Sequence, residues 1–127
     1  MKKVMIALFA SALFLTGCSS TNASVNNLGA TEFLAKTADD GVILIDVRTP
    51  GEFAEGNIVN ALNIDVQSSS FDAQIAELDP TKTYALYCRS GNRSGVAADK
   101  MADAGFTSIY NATVGFTDLA AAGAPTA

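Results

Sequence analysis

One cysteine, two arginines, two serines and two glycines fall within ten residues, Leu86-Tyr87-Cys88-Arg89-Ser90-Gly91-Asn92-Arg93-Ser94-Gly95. The apolar residues up to Tyr87 lead into the cysteine, and a helical pattern begins at Ser94. A thiol therefore stands where a strand ends and a helix starts. Backbone N–H groups at a helix N-terminus are unpaired and carry partial positive charge. With arginines beside it, a thiol there ionises below its free value of about 8.5. The chemistry on offer is attack by a thiolate, with the resulting anion held by converging N–H groups. Cys88 is the candidate nucleophile, and Arg89, Ser90, Gly91, Asn92, Arg93 and Ser94 form the candidate binding loop. Free cysteines are often buried structural residues, but a loop of this composition directly after one argues for reactivity.

The elements that position this loop read off in order. Thr31 is placed to cap a helix over 32–38, with Phe33 and Leu34 inward. Val42-Ile43-Leu44-Ile45 is a continuous β-branched and apolar run, as in a strand buried on both faces. It ends in Asp46-Val47-Arg48, and Pro50 then suits the first turn of a short helix carrying Glu52, closed by Gly56. Residues 61–64 read as a short strand, and Phe71, Ile75 and Leu78 recur at helical spacing. Residues 83–87 form the strand before the cysteine. Ala97, Met101 and Ala104 then make a helical stripe, with Gly105 at its C′ position. A last strand covers 108–110 and a final helical turn 116–122. Alternating strands and helices predict an α/β fold with a central parallel sheet flanked by helices on both faces. Sites in such sheets lie beyond the carboxyl ends of strands, where Cys88 and Arg48 both fall. Asp46, Arg48 and Glu52 offer charges that a catalytic site could use, and read first as a supporting network of salt bridges that holds the loop.

Composition removes several functions. Of the 127 residues 49% are apolar, enough for one folded core, and the net charge of −5 offers nucleic acid no basic face. There is no histidine, so the commonest general base and metal ligand are both missing. Two cysteines without histidine argue against zinc. No metal and no cofactor are expected.

The N-terminus reads as an address. Met1-Lys2-Lys3 precedes an apolar run over 4–15, too short for a membrane span of about 20 residues but suited to a signal peptide. It ends in Leu15-Thr16-Gly17-Cys18, which resembles the lipobox of bacterial lipoproteins. The resemblance implies that 1–17 is a signal peptide, that Cys18 becomes a lipidated N-terminus, and that 18–29 is a flexible tether ahead of a domain over 30–127. Several acyl chains give stable membrane anchoring, at about 0.8 kcal/mol per buried CH₂. The implied location is the cell envelope, facing the periplasm, with Ser19 favouring the outer membrane. Lipidation of Cys18 leaves Cys88 as the only thiol.

Residues 43–124 resemble a single-domain rhodanese, a thiosulfate-type sulfurtransferase. The matching stretches are Leu44-Ile45-Asp46-Val47-Arg48-Thr49-Pro50 with Glu52-Phe53; Gly56, Ile58 and Ala61-Leu62-Asn63-Ile64; the loop from Tyr87 to Ser94; and Ala104-Gly105-Phe106-Thr107-Ser108-Ile109-Tyr110-Asn111 with Gly115. The resemblance implies that Cys88 accepts a sulfane sulfur as a persulfide, that the N–H groups of 89–94 cradle it, and that Arg89 and Arg93 attract a small anionic sulfur donor. The acceptor would be a thiol or a cyanide-like nucleophile. The chain departs from the family where Asn60 replaces a glycine, where Asn57 replaces a histidine, and where Leu119 takes a tryptophan's place. Two other functions use the same architecture. Cysteine-dependent phosphatases and arsenate reductases space cysteine and arginine by one more residue than the four between Cys88 and Arg93, giving a wider cradle for a tetrahedral oxyanion. A non-catalytic binding module typically loses the cysteine, which this chain keeps.

Overall fold

The computed structural model describes residues 23–127; the signal-peptide and lipobox residues, Cys18 included, lie outside the described residues. Ten elements alternate: β1 Val25–Leu28, α1 Ala30–Thr37, β2 Val42–Asp46, α2 Pro50–Glu55, β3 Leu62–Asn63, α3 Phe71–Ala76, β4 Thr83–Tyr87, α4 Asn92–Asp103, β5 Ile109–Ala112 and α5 Phe116–Ala121. The five strands form one parallel sheet in the order β1-β5-β4-β2-β3. The central strand β4 has its apolar residues on both faces. Tyr84, Leu86 and Cys88 join the core under α3 and α4, with Phe71, Ile75, Ala97, Met101 and Phe106. Ala85 and Tyr87 join the core under α1 and α5, with Phe33, Leu44, Ile58 and Leu119. Helices thus cover both faces of the sheet, the expected α/β architecture.

Local chemistry sets the boundaries. Thr49 caps α2, its Oγ1 accepting from the Glu52 N–H at 3.3 Å, with Pro50 in the first turn. Helix α4 ends on Gly105 in the left-handed region; the Phe106 N–H reaches Met101 O and the Gly105 N–H reaches Ala102 O, so two end carbonyls are satisfied. Asn60 holds a φ of 71°, the left-handed conformation that a glycine would take there.

Four details correct the sequence reading. Residues 25–28, assigned to the tether, are strand β1, paired in register with β5 from Val25–Ile109 to Leu28–Ala112. Only Val25 and Leu28 of this strand are partly buried, so its own pattern is too polar to declare a strand; the exposed edge of β5 supplies the partner. Thr31 does not cap α1, because the helix begins at Ala30 behind Gly29. Helix α4 starts at Asn92, two residues ahead of Ser94. Its buried stripe is Ser94, Ala97, Ala98 and Met101, and Ala104 is exposed, standing at the C-cap just past the helix end at Asp103.

Candidate active site

Strand β4 delivers Cys88 to the carboxyl end of the sheet, and 89–91 turn straight into α4. The turn requires Gly91: it takes a φ of 96°, and a Cβ there would lie 2.6 Å from Thr113 O. In that conformation the Gly91 N–H donates to Cys88 Sγ at 3.0 Å. Ser94 Oγ lies 3.5 Å from the sulfur and is itself 3.1 Å from Gly91 O and 3.4 Å from Ala112 O. Cys88 is fully buried, and burial pushes its thiol up; the Ser94 hydroxyl and the N–H groups of Ser94, Ser90 and Gly91 more than offset this, leaving the pKa below its ordinary 9.0. The sulfur therefore ionises more readily than an ordinary thiol, and it does so through hydrogen bonds rather than a neighbouring base.

The loop is held from behind. Gly115 is buried against it, and a Cβ at that position would overlap the Arg89 carbonyl. The next residue, Phe116, donates its N–H to Cys88 O at 2.9 Å. Gly115 was noticed in the sequence only as part of a motif, and Phe116 not as a site residue at all. Their contacts with a loop more than twenty-five positions away leave no local sequence signal.

At the end of β2 the charged residues pair among themselves. Arg48 Nη2 meets Asp46 Oδ2 at 2.7 Å and its Nε meets both carboxylate oxygens at 3.0 and 3.1 Å. Nη2 also donates to Gly56 O at 2.6 Å, and the guanidinium lies 4.4 Å from the Phe116 ring centroid. Burial works against the Arg48 charge, but the Asp46 hydrogen bond and field keep its pKa raised. Asn63 stitches the segment to β3, its amide donating to the carbonyls of Asp46 and Arg48 at 3.1 and 2.9 Å. The sequence did not single out this asparagine.

Glu52 does not join the Asp46–Arg48 pair. It takes Arg93 in a two-point ion pair, Nη1 to Oε1 at 2.7 Å and Nη2 to Oε2 at 2.8 Å. The Arg93 hydrogen bond holds the Glu52 carboxyl down to about 2. Arg93 was expected to be available to an anionic donor; it is instead largely neutralised by Glu52, and Arg89 is the loop's exposed guanidinium, with no ion-pair partner among the described residues. Ser90 and Asn92 lie exposed on the loop. A cavity of about 350 Å³ opens beside Arg89, lined also by Arg48, Glu52, Glu55, Gly56, Phe116 and Thr117. The ensemble offers a nucleophilic sulfur, converging donors for an anion, and a charged vestibule.

A family model described as "Rhodanese-like domain" matches residues 29–122. A sulfurtransferase of Allochromatium vinosum is 30% identical over 102 residues, which cover 80% of this chain and 94% of that protein. The thiosulfate sulfurtransferase PspE of Escherichia coli is 32% identical over 76 residues, 60% of this chain and 72% of that one. Against two other relatives, from Schizosaccharomyces pombe and Bacillus subtilis, the match spans 62% and 56% of their length. Among solved structures, a rhodanese-related protein of Thermoplasma volcanium superposes with a TM-score of 0.69 at 27% identity, covering 80% of this chain and 96% of that one.

Proposed function

The chain belongs to the rhodanese-like family, and from that premise we propose that it is a sulfurtransferase, passing a sulfane sulfur from a small anionic donor such as thiosulfate to a thiol or cyanide-like acceptor through a persulfide on Cys88. The observation that carries this is the Gly91 N–H at 3.0 Å from Cys88 Sγ at the start of α4. A donor aimed at the sulfur stabilises the thiolate before reaction and the anionic persulfide after it. The Cys88 thiolate attacks the outer sulfur of thiosulfate. The donor's S–S bond breaks and sulfite departs with the electron pair, so no general base is required. Arg89 meets the incoming anion, and Glu52 fixes Arg93 over the loop from α2. A nucleophilic acceptor then removes the outer sulfur and regenerates the thiolate.

Intact mass tests this. Thiosulfate should add about 32 Da, the mass of one sulfur atom, to the protein and nothing to Cys88→Ser. No adduct with any sulfane donor, together with turnover of an aryl phosphate, would assign the loop to phosphoryl chemistry instead.

The proposal extends to location: a bacterial envelope protein anchored by lipid on Cys18 and facing the periplasm. The basic start, the apolar run over 4–15 and Leu15-Thr16-Gly17-Cys18 support it. Cys18→Ala should release the protein from membranes, and retention would overturn the anchor.

A further inference from the structure

The cavity beside Arg89 carries four charged side chains, two of which are spoken for. Arg48 is committed to Asp46 and Glu52 to Arg93. That leaves Arg89 and Glu55, both exposed and neither with an ion-pair partner among the described residues. One free positive and one free negative group thus face a space with the volume of a small-molecule site. Arg89 has an evident partner in an anionic sulfur donor. Glu55 has none there, because its carboxylate repels such a donor. The rest of the molecule repels it too, at a net charge of −5.

We propose that this vestibule selects the sulfur acceptor, and that the acceptor class is a zwitterionic aminothiol of the cysteine type, its carboxylate on Arg89 and its ammonium on Glu55. The assignment rests on the sulfurtransferase reading and specifies its second half-reaction. A zwitterion suffers no net repulsion from the acidic surface, yet both unpaired groups gain an opposite charge. Phe116 lines the same cavity and its N–H holds the Cys88 carbonyl, and Arg89 follows Cys88 directly, so the vestibule lies at the strand end that carries the reacting residue. The acceptor thiol loses its proton to solvent and its thiolate attacks the outer sulfur of the Cys88 persulfide. A new S–S bond forms to the acceptor, the old one breaks, and its electron pair returns to Sγ as the thiolate.

The test loads the full domain with thiosulfate, removes the excess, and follows loss of the added sulfur by quenched-flow intact mass. Cysteine and 2-mercaptoethanol are the acceptors, and the quantity read is the ratio of their rate constants. Their intrinsic thiol reactivities are common to every variant and cancel when ratios are compared. Glu55→Gln should lower the cysteine-to-mercaptoethanol ratio about threefold, the size of one exposed ion pair. Glu55→Asp, which keeps the charge, should hold the ratio nearer the parent's. In 1 M NaCl the parent's ratio should fall toward that of Glu55→Gln. A ratio equal in the parent and Glu55→Gln overturns the acceptor assignment while leaving the persulfide intact. Absence of any adduct after loading overturns the sulfurtransferase reading itself, and the two failures are told apart by the first mass spectrum.

Discussion

The carboxyl ends of β2 and β4 are neighbours in the sheet and are built in opposite ways. At the end of β2 everything polar is closed. Asp46 and Arg48 satisfy each other, and Asn63 takes two carbonyls. The N–H groups of Val47, Ile64 and Val66 go to Tyr87, Asp46 and Val47 carbonyls. At the end of β4 the backbone instead turns its donors onto one sulfur atom, joined there by the Ser94 hydroxyl. Phe116 joins the two ends, with its ring on Arg48 and its N–H on Cys88 O. The difference separates a brace from a cradle: a saturated end can only support, whereas an end whose donors converge on a reactive atom can bind the charge that atom acquires.

Removing the brace should have the largest effect on stability. Arg48→Met leaves Asp46 buried without its cation, at a cost of roughly 3–5 kcal/mol. For a domain of this size that lowers the melting temperature by on the order of 15 °C. Whatever protein remains folded should still load sulfur from thiosulfate. A loss of loading far beyond the loss of folded protein would abolish the distinction between brace and cradle.

The next effect belongs to the joint. Gly115→Ala forces a methyl group into the Arg89 carbonyl, an overpacking cost of about 1–3 kcal/mol. Because the backbone that must yield is the cradle itself, loading should fall more than stability. Equal losses, measured by mass and by thermal melting, would show that the loop tolerates displacement.

The Glu52–Arg93 pair reaches from the brace side to the cradle side and is partly exposed, so Arg93→Ala should cost no more than about 1 kcal/mol of stability. Thiosulfate loading should weaken more than that, since the variant leaves the Glu52 charge uncompensated near an anionic donor. The pair also sets an acid limb. Glu52 falls from its ordinary 4.5 to about 2 on folding, chiefly through Arg93. Its contribution is therefore complete above about 4.5 and is lost as the pH drops toward 2. Glu52→Gln should flatten stability across that interval, and an unchanged acid limb would mean that the pair is not maintained in solution.

The brace and the cradle were not equally legible in the sequence. Cys88 and its loop were readable because strand end, glycine turn and helix start are contiguous, and local rules suffice for them. The buried strand at 42–46 and the capped turn at Thr49-Pro50 were readable for the same reason. What escaped depends on partners distant in the chain. Glu52 and Arg93 are 41 residues apart, so nothing local told that Arg93 would be neutralised while Arg89 stayed free. Strand β1 escaped because Val25-Asn26-Asn27-Leu28 has a linker's composition and becomes a strand only where β5 offers an edge. Asn27 gains a further reason to stay there, since its Oδ1 accepts from the Asn111 amide at 2.8 Å.

The smallest expected effect asks how much of the cradle is backbone. Ser94 has one hydroxyl proton and three acceptors within reach: Gly91 O, Ala112 O and the sulfur. While Cys88 is a thiol, the proton is best placed on the Gly91 carbonyl, the nearest of the three. Ionisation makes the sulfur the strongest acceptor, and the hydroxyl turns toward it, strengthening an interaction that exists only in the charged form. Ser94→Ala removes this differential contact and leaves the Gly91 N–H in place, so the Cys88 pKa should rise toward its ordinary value. The pH profile of persulfide loading should move to higher pH, and Ser94→Thr, which keeps a hydroxyl, should move it less. Stability should change by about 1 kcal/mol, the worth of one buried hydrogen bond. If the profile stays where it is, the backbone alone holds the thiolate and the contrast with the side-chain-built β2 end becomes complete. If it moves up, the two ends differ in degree, with one serine side chain sharing the work of the N–H groups.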